Sequence, residues 1–237
     1  MGSHQASTVD PSIPPLKPYF DVSGSHDESA ELKAVMQKLK LQPHPEGGYF
    51  VETDRDAFKI PNPFPKTEKN ATSTTELETR NASTTIFYLL TPKSNLGHFH
   101  RNQARTVHTL HRGRGRYVLI HADEAASPDY VGGYGGDENS PESSRWIRKA
   151  RMETFVVGQN VSKGERLQWI VPGGKYKCSY LLPDKEGGDS SEGLLISETV
   201  VPGFEMTDHD FLKEDRFRIL LTEEQVHETS WMLRKAA

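Results

Sequence analysis

Cysteine is nearly missing. The 237-residue chain has one, Cys178, so no internal disulfide can form and no multi-cysteine zinc site can be built. Long apolar runs are missing too, since none approaches the roughly 20 residues that span a bilayer. The N-terminal region lacks the apolar centre of a signal peptide, so the expectation is a cytoplasmic protein without membrane contact. Charge of one sign does not dominate. The 29 Lys and Arg against 33 Asp and Glu leave a net −4, and a pI near 6.2 gives no reason to expect nucleic acid as a partner. No phosphate-binding loop stands out: Gly132-Gly133-Tyr134-Gly135-Gly136 is followed by no helix carrying a lysine and reads as a plain loop. The sequons at Asn70, Asn81 and Asn160 are discounted without a secretory signal.

What is present is turn chemistry between short β-prone runs. The 19 Gly and 15 Pro, with 34% hydrophobic and 26% charged residues, describe a loop-rich β protein of a length that suits one domain. Residues 1–26, studded with Pro, Ser and Gly, read as a flexible N-terminal arm that could drape over a partner subunit. From residue 27 onward a single domain is expected. It opens with an amphipathic helix on the spacing Leu32, Val35, Met36, Leu39, ending before Pro43. Strands are predicted over 48–54, 83–90, 97–101, 105–111, 115–121, 154–158, 166–171, 177–182 and 194–201, where β-branched and aromatic residues alternate with polar ones. Polar stretches at about 57–81 and 122–148 read as loop insertions. Thr222-Glu223-Glu224-Gln225 has capping-box form and predicts a C-terminal helix to about Lys235, with Val226, Trp231 and Leu233 docking on the body. The pattern points to an all-β barrel or jelly roll with flanking N- and C-terminal helices.

Histidine is where chemistry concentrates. His98 and His100 are two apart in a predicted strand, so both rings are expected on one face with α-carbons roughly 6.6 Å apart. The next strand would place Thr106, His108 and Leu110 on one face, which makes His108 a third candidate ligand. In His44-Pro45-Glu46-Gly47-Gly48-Tyr49, Pro45 stiffens the backbone before a flexible glycine pair. Glu46 is then either presented at the start of a strand or merely paired with Arg55. Glu52 shares a strand face with Phe50 and Asp54. Gln168, Trp169 and Tyr176 flank the Pro172-Gly173-Gly174 turn, with Trp169 read as core and Gln168 as a pocket candidate. Lys163-Gly164-Glu165 reads as a turn, and Cys178 as a small buried residue.

Gly97-His98-Phe99-His100, followed by a strand ending at Gly113, resembles the first cupin motif. His44 to Phe50 with Glu52, Thr53 and Arg55, then Ser83 to Leu90, Val171 to Gly174 and Val201 to Glu205, resemble in order the blocks of a Cupin_5-like family known only as a domain of unknown function. The resemblance implies a cupin double-stranded β-helix, a homodimer, and a small-molecule cavity lined by the His-x-His strand. It also implies a divalent metal such as Fe, Zn, Mn or Ni, with departures: Thr106 stands where the motif glutamate would be, and Lys177 where the second motif's histidine would be. Without that carboxylate, and with a lysine that cannot ligate while protonated, either His98, His100 and His108 hold a metal alone or the cavity works without one.

The reading that follows is a small-molecule enzyme of isomerase, epimerase, cyclase or lyase type. His98, His100, Glu46 and Glu52 are its expected catalytic groups, and Tyr49, Arg55, Thr106, Gln168 and Tyr176 its expected substrate contacts. An iron-dependent oxygenase and a non-catalytic metabolite- or sugar-binding cupin are the alternatives.

Overall fold

The computed structural model describes residues 6–23, 27–64, 78–126 and 149–235. Helix α1 (Ala30–Leu39) starts where the Ser29 side chain accepts a hydrogen bond from the Leu32 N–H at 3.1 Å and stops at Lys40, whose φ of 58° is left-handed. It buries Leu32 and rests Val35, Met36 and Leu39 half-buried on the body.

Two antiparallel sheets face each other. One runs β1 (Gln42–Pro43), β2 (Tyr49–Arg55), β5 (Thr84–Leu90), β12 (Leu194–Val201), β7 (Arg105–Arg112) and β10 (Gln168–Val171). The other runs β13 (Asp210–Phe211), β6 (Leu96–Arg101), β11 (Tyr176–Leu181), β8 (Gly115–Ile120) and β9 (Met152–Val157). Among the described residues the sheets do not close into one ring. They touch through an isolated bridge between Val157 and Arg166, a jelly-roll arrangement. Every strand predicted from alternation is present. The short β1 and β13 were not predicted, because two-residue strands have no period to detect.

Alternation sorts the side chains into two cores. Along β8, Tyr117 and Leu119 face the other sheet and pack with Tyr88, Leu110, Phe155, Trp169 and Ile196. Val118 and Ile120 face the opposite way and pack with Phe99, Tyr176, Cys178 and Phe217. That second core is covered by α3 (Glu214–Leu220) and α4 (Glu223–Thr229), after α2 (Ala122–Ala126) has closed one loop. Fully burying an aliphatic or aromatic side chain of this size stabilises by about 1.5–3 kcal/mol. The capping box is formed: Thr222 accepts from the Gln225 N–H, and Gln225 accepts from the Thr222 N–H. The helix ends at Thr229, short of Lys235, and a 3-10 turn (Ser230–Met232) carries Met232 into the core with Trp231 and Leu233 beside it.

The insertion at 57–81 begins and ends as a hairpin-like ladder, β3 (Lys59–Pro61) against β4 (Thr79–Asn81). Its middle, the glycine-rich run 132–136 and the rest of 127–148 lie outside the described residues. The N-terminal segment lies along its own chain. Glu228 accepts from the Thr8 and Leu16 N–H groups at 2.6 Å each and from the hydroxyls of Ser7 and Thr8, while Leu16 is buried in the second core.

Candidate functional site

The turn from His44 to Gly48 is held by Gly47 N–H donating to His44 O and by His44 N–H donating to Gly48 O, both at 3.0 Å. Gly47 has φ +104°, and a Cβ there would sit 2.0 Å from Leu96 O, so only glycine lets the turn lie this close to β6. The Glu46 carbonyl accepts from the His98 N–H at 2.7 Å. The turn is thereby fastened to β6, and the Glu46 side chain, 10% exposed, points between the sheets.

On β6 the expectation of two converging histidines fails. The register against β11 pairs His100 with Lys177 but Gly97 with Ser179, a bulge that puts His98 and Phe99 together opposite Cys178. The extra residue reverses the side-chain parity between 98 and 100. His98 turns outward, half-buried, with Nδ1 3.2 Å from Met232 O. His100 turns inward, and its Nε2 lies 3.1 Å from Glu46 Oε2. His209 Nε2 reaches Glu46 Oε1 at 2.8 Å, and the two rings stack at 5.4 Å with 10° between their planes. His44 completes the group, its Nδ1 accepting from the Glu46 N–H at 3.2 Å.

His209 comes from a loop in which the sequence reading found no site residue. It is placed by its neighbour: Asp208 is bonded to the fully buried guanidinium of Arg80, on which Phe64 lies at 5.2 Å. The following strand β13 then pairs Phe211 with His100 itself.

A second cluster lies deeper. Lys177 Nζ donates to Glu198 Oε2 at 2.6 Å and to His108 Nε2 at 2.9 Å, and His108 stacks on Trp169 at 5.1 Å. Lys177 is 3% and His108 0% exposed. Burial lowers the His108 pKa and the Lys177 charge adds to that, so the ring is neutral and its Nε2 accepts. Burial alone would raise the Glu198 pKa, but the Lys177 charge outweighs it and holds the carboxyl well below its usual range. Glu198 is on the inward face of β12 with Leu194, Ile196 and Val200, a carboxylate among aliphatic residues that alternation could have exposed.

For Glu46, burial again opposes ionisation. The charge of His100 and the hydrogen bond from His209 prevail, and its pKa falls to about 2. Burial pulls His100 down to about 3, while Glu46 works against that. Its Nδ1 faces the His98 carbonyl at 2.8 Å, and its Nε2 faces the Glu46 carboxylate.

Glu46, His44 and Glu198 line a cavity of about 270 Å³ with Phe50, Ile86, Val200, Phe204 and Met206. Arg55 and Glu52 stand at its rim, paired with each other at 2.8 Å rather than with Glu46. Thr106 is buried on the same face of β7 as His108. Other expected contacts lie elsewhere. Tyr49 alternates outward from Phe50 and donates to Glu28 at 3.2 Å. Gln168 is exposed on the face of β10 opposite the buried Trp169. Tyr176 is in the second core, donating to Asp210 at 2.9 Å.

The proposed metal set does not fit. His98 points away, His100 is taken by Glu46, and His108 by Lys177, whose ammonium competes for any space an ion would need. A second group, His121, Asp123 and Glu124, brings ligand atoms together. Lys175 Nζ already occupies its centre, 2.8 and 2.9 Å from the Asp123 oxygens, 2.9 Å from His121 Nδ1 and 3.2 Å from Glu124.

Two facing antiparallel sheets with ionisable groups gathered between them define a cupin-type double-stranded β-helix. The chain belongs to Cupin_5, a cupin-superfamily family also designated DUF985, which it matches over residues 33–212. It is 38% identical over 204 residues to the uncharacterized protein YML079W of Saccharomyces cerevisiae, covering 86% of each chain. It is similar to a hypothetical protein from Leishmania major of solved structure (26% identity, TM-score 0.62, covering 86% of this chain and 98% of that one). A Shewanella oneidensis protein shares the fold at 18% identity and TM-score 0.58, covering 89% of this chain and 100% of that one.

Proposed function

We propose that this chain is a small-molecule enzyme that moves protons in the cavity, an isomerase, epimerase, cyclase or lyase. The observation that carries the reading is Glu46. Its carboxylate lines the cavity of about 270 Å³ while holding His209 at 2.8 Å and His100 at 3.1 Å behind it. Such a carboxylate can take a proton from a bound substrate and pass it to the neutral imidazole of His100 behind it. His44, kept neutral mainly by burial, lines the same wall and offers a second proton-exchanging group. Lys177 and Glu198 supply fixed charge below, and Phe50, Ile86 and Phe204 exclude water.

The test is solvent exchange. The protein is incubated in D2O with a panel of small ketones, aldoses and ketoses, and proton NMR follows deuterium entering C–H positions next to a carbonyl. Exchange with at least one compound, reduced about 100-fold or more in Glu46→Gln, supports the reading, since positioned acid–base groups contribute on that order. Binding without exchange would make the chain a non-catalytic binder.

A homodimer is proposed as well. Edge strand β10 and the residue before it leave Ile170 and Leu167 over 40% exposed, which favours a covering partner. Light scattering should return twice 26.6 kDa.

A further inference from the structure

The mouth of the cavity is lopsided in charge. Among its described lining residues the carboxylates are Glu46, Glu52, Glu198 and Glu205, and the one cationic side chain is Arg55. Arg55 is committed to its neighbours through all three of its nitrogens. Its Nε and one terminal nitrogen grip Glu52 at 3.0 and 2.8 Å, and the other donates to the Phe204 carbonyl at 3.2 Å and to Glu205 at 3.4 Å. Lys177, beneath the cavity, is spent on Glu198 and His108. Around these acids stand Phe50, Ile86, Val200, Phe204 and Met206, an apolar wall of small volume.

We infer that the cavity selects a compact apolar ligand bearing a protonated amine, accepts the isosteric alcohol less well, and rejects the carboxylate. This rests on the same cavity as the proposed function but concerns binding alone. An ammonium entering the mouth meets carboxylates and the rings of Phe50 and Phe204, both of which can attract cations. An entering anion would meet carboxylates with no free cation to compensate, a mismatch of the kind that sets specificity by repulsion. Glu52 and Glu205 are the specificity-determining pair, because they neutralise the one guanidinium that could otherwise receive an anion.

The experiment is calorimetric titration of the full chain at neutral pH and low salt with benzylamine, benzyl alcohol and benzoate. The expected order is amine, then alcohol, then acid, with a gap of at least about tenfold between the ends, as one poorly screened charge supports. In the double variant E52Q/E205Q, checked for folding by circular dichroism, the gap should close or reverse as Arg55 is freed. Benzoate binding as tightly as benzylamine overturns the inference, as does an unchanged gap in the folded double variant, or binding of none of the three. A chain that prefers benzylamine yet exchanges no deuterium loses the catalytic reading and keeps this one. Deuterium exchange with a preference for benzoate does the opposite.

Discussion

His209 and Glu46, 163 positions apart, meet at 2.8 Å between the two sheets. The contact joins an N-terminal turn to a C-terminal loop, one side held by a backbone hydrogen bond and the other by a buried ion pair. Glu46 is held through the His98 N–H, and His209 by Asp208, itself fixed on Arg80.

The bulge in β6 separates the two histidines of the His-x-His motif by role. In the D2O assay His100→Ala should lower exchange about 100-fold or more, whereas His98→Ala should stay within a few-fold of wild type. The His98 ring contacts Met232, and its link to Glu46 is a main-chain N–H that alanine keeps. Equal losses in the two variants would mean that the ring of His98 acts in the site after all.

Lys177 and Glu198 form a buried pair at 2.6 Å. Lys177→Met strands a carboxylate and should cost about 3–5 kcal/mol in urea unfolding, while the double change Lys177→Met with Glu198→Leu should recover most of it. If the double variant is no more stable than the single one, the pair is not what holds the interior together.

Acid should weaken the fold through Glu46. Its carboxyl titrates at about 2 in the folded chain against an ordinary 4.5, so protonation is taken up first by the unfolded chain. Its contribution is complete above about 4.5 and disappears as pH falls toward 2, roughly 1 kcal/mol of it already by pH 4. His100, lowered from 6.5 to about 3 by burial, adds loss in the same direction from higher pH. Thermal melts from pH 7 to pH 4 should fall less steeply for Glu46→Gln than for wild type. Parallel curves would show that the Glu46 carboxyl titrates in the folded chain as it does in the unfolded one.

Glu228 ties down the N-terminal segment through Ser7, Thr8 and Leu16. Glu228→Ala leaves those amides without their acceptor and should cost about 1–3 kcal/mol. Hydrogen exchange at Thr8 and Leu16 should accelerate in that variant while the β11 amides stay protected. Unchanged exchange at both would show that apolar packing of Leu16 alone secures the segment.

The sequence by itself determined the strands, the capping box at Thr222 and the family. Alternation, turn residues and short-range hydrogen bonds are properties of neighbouring positions, so Leu194 to Val201 or Thr106 to Leu110 declare their faces without the rest of the chain. It also singled out Glu46, His100 and His108. Only the tertiary structure decided how these are used. Parity counting assumes an unbroken ladder, and one inserted residue opposite Cys178 sent His98 outward. Nothing local marks His209, whose place depends on a buried Arg80 more than a hundred positions away. Lys177 stands where the resemblance implies a histidine, and its ion pair depended on Glu198 lying across the interior from it. Long-range pairing set these contacts, because the atoms that satisfy a buried charge come from whichever strands the sheets bring together.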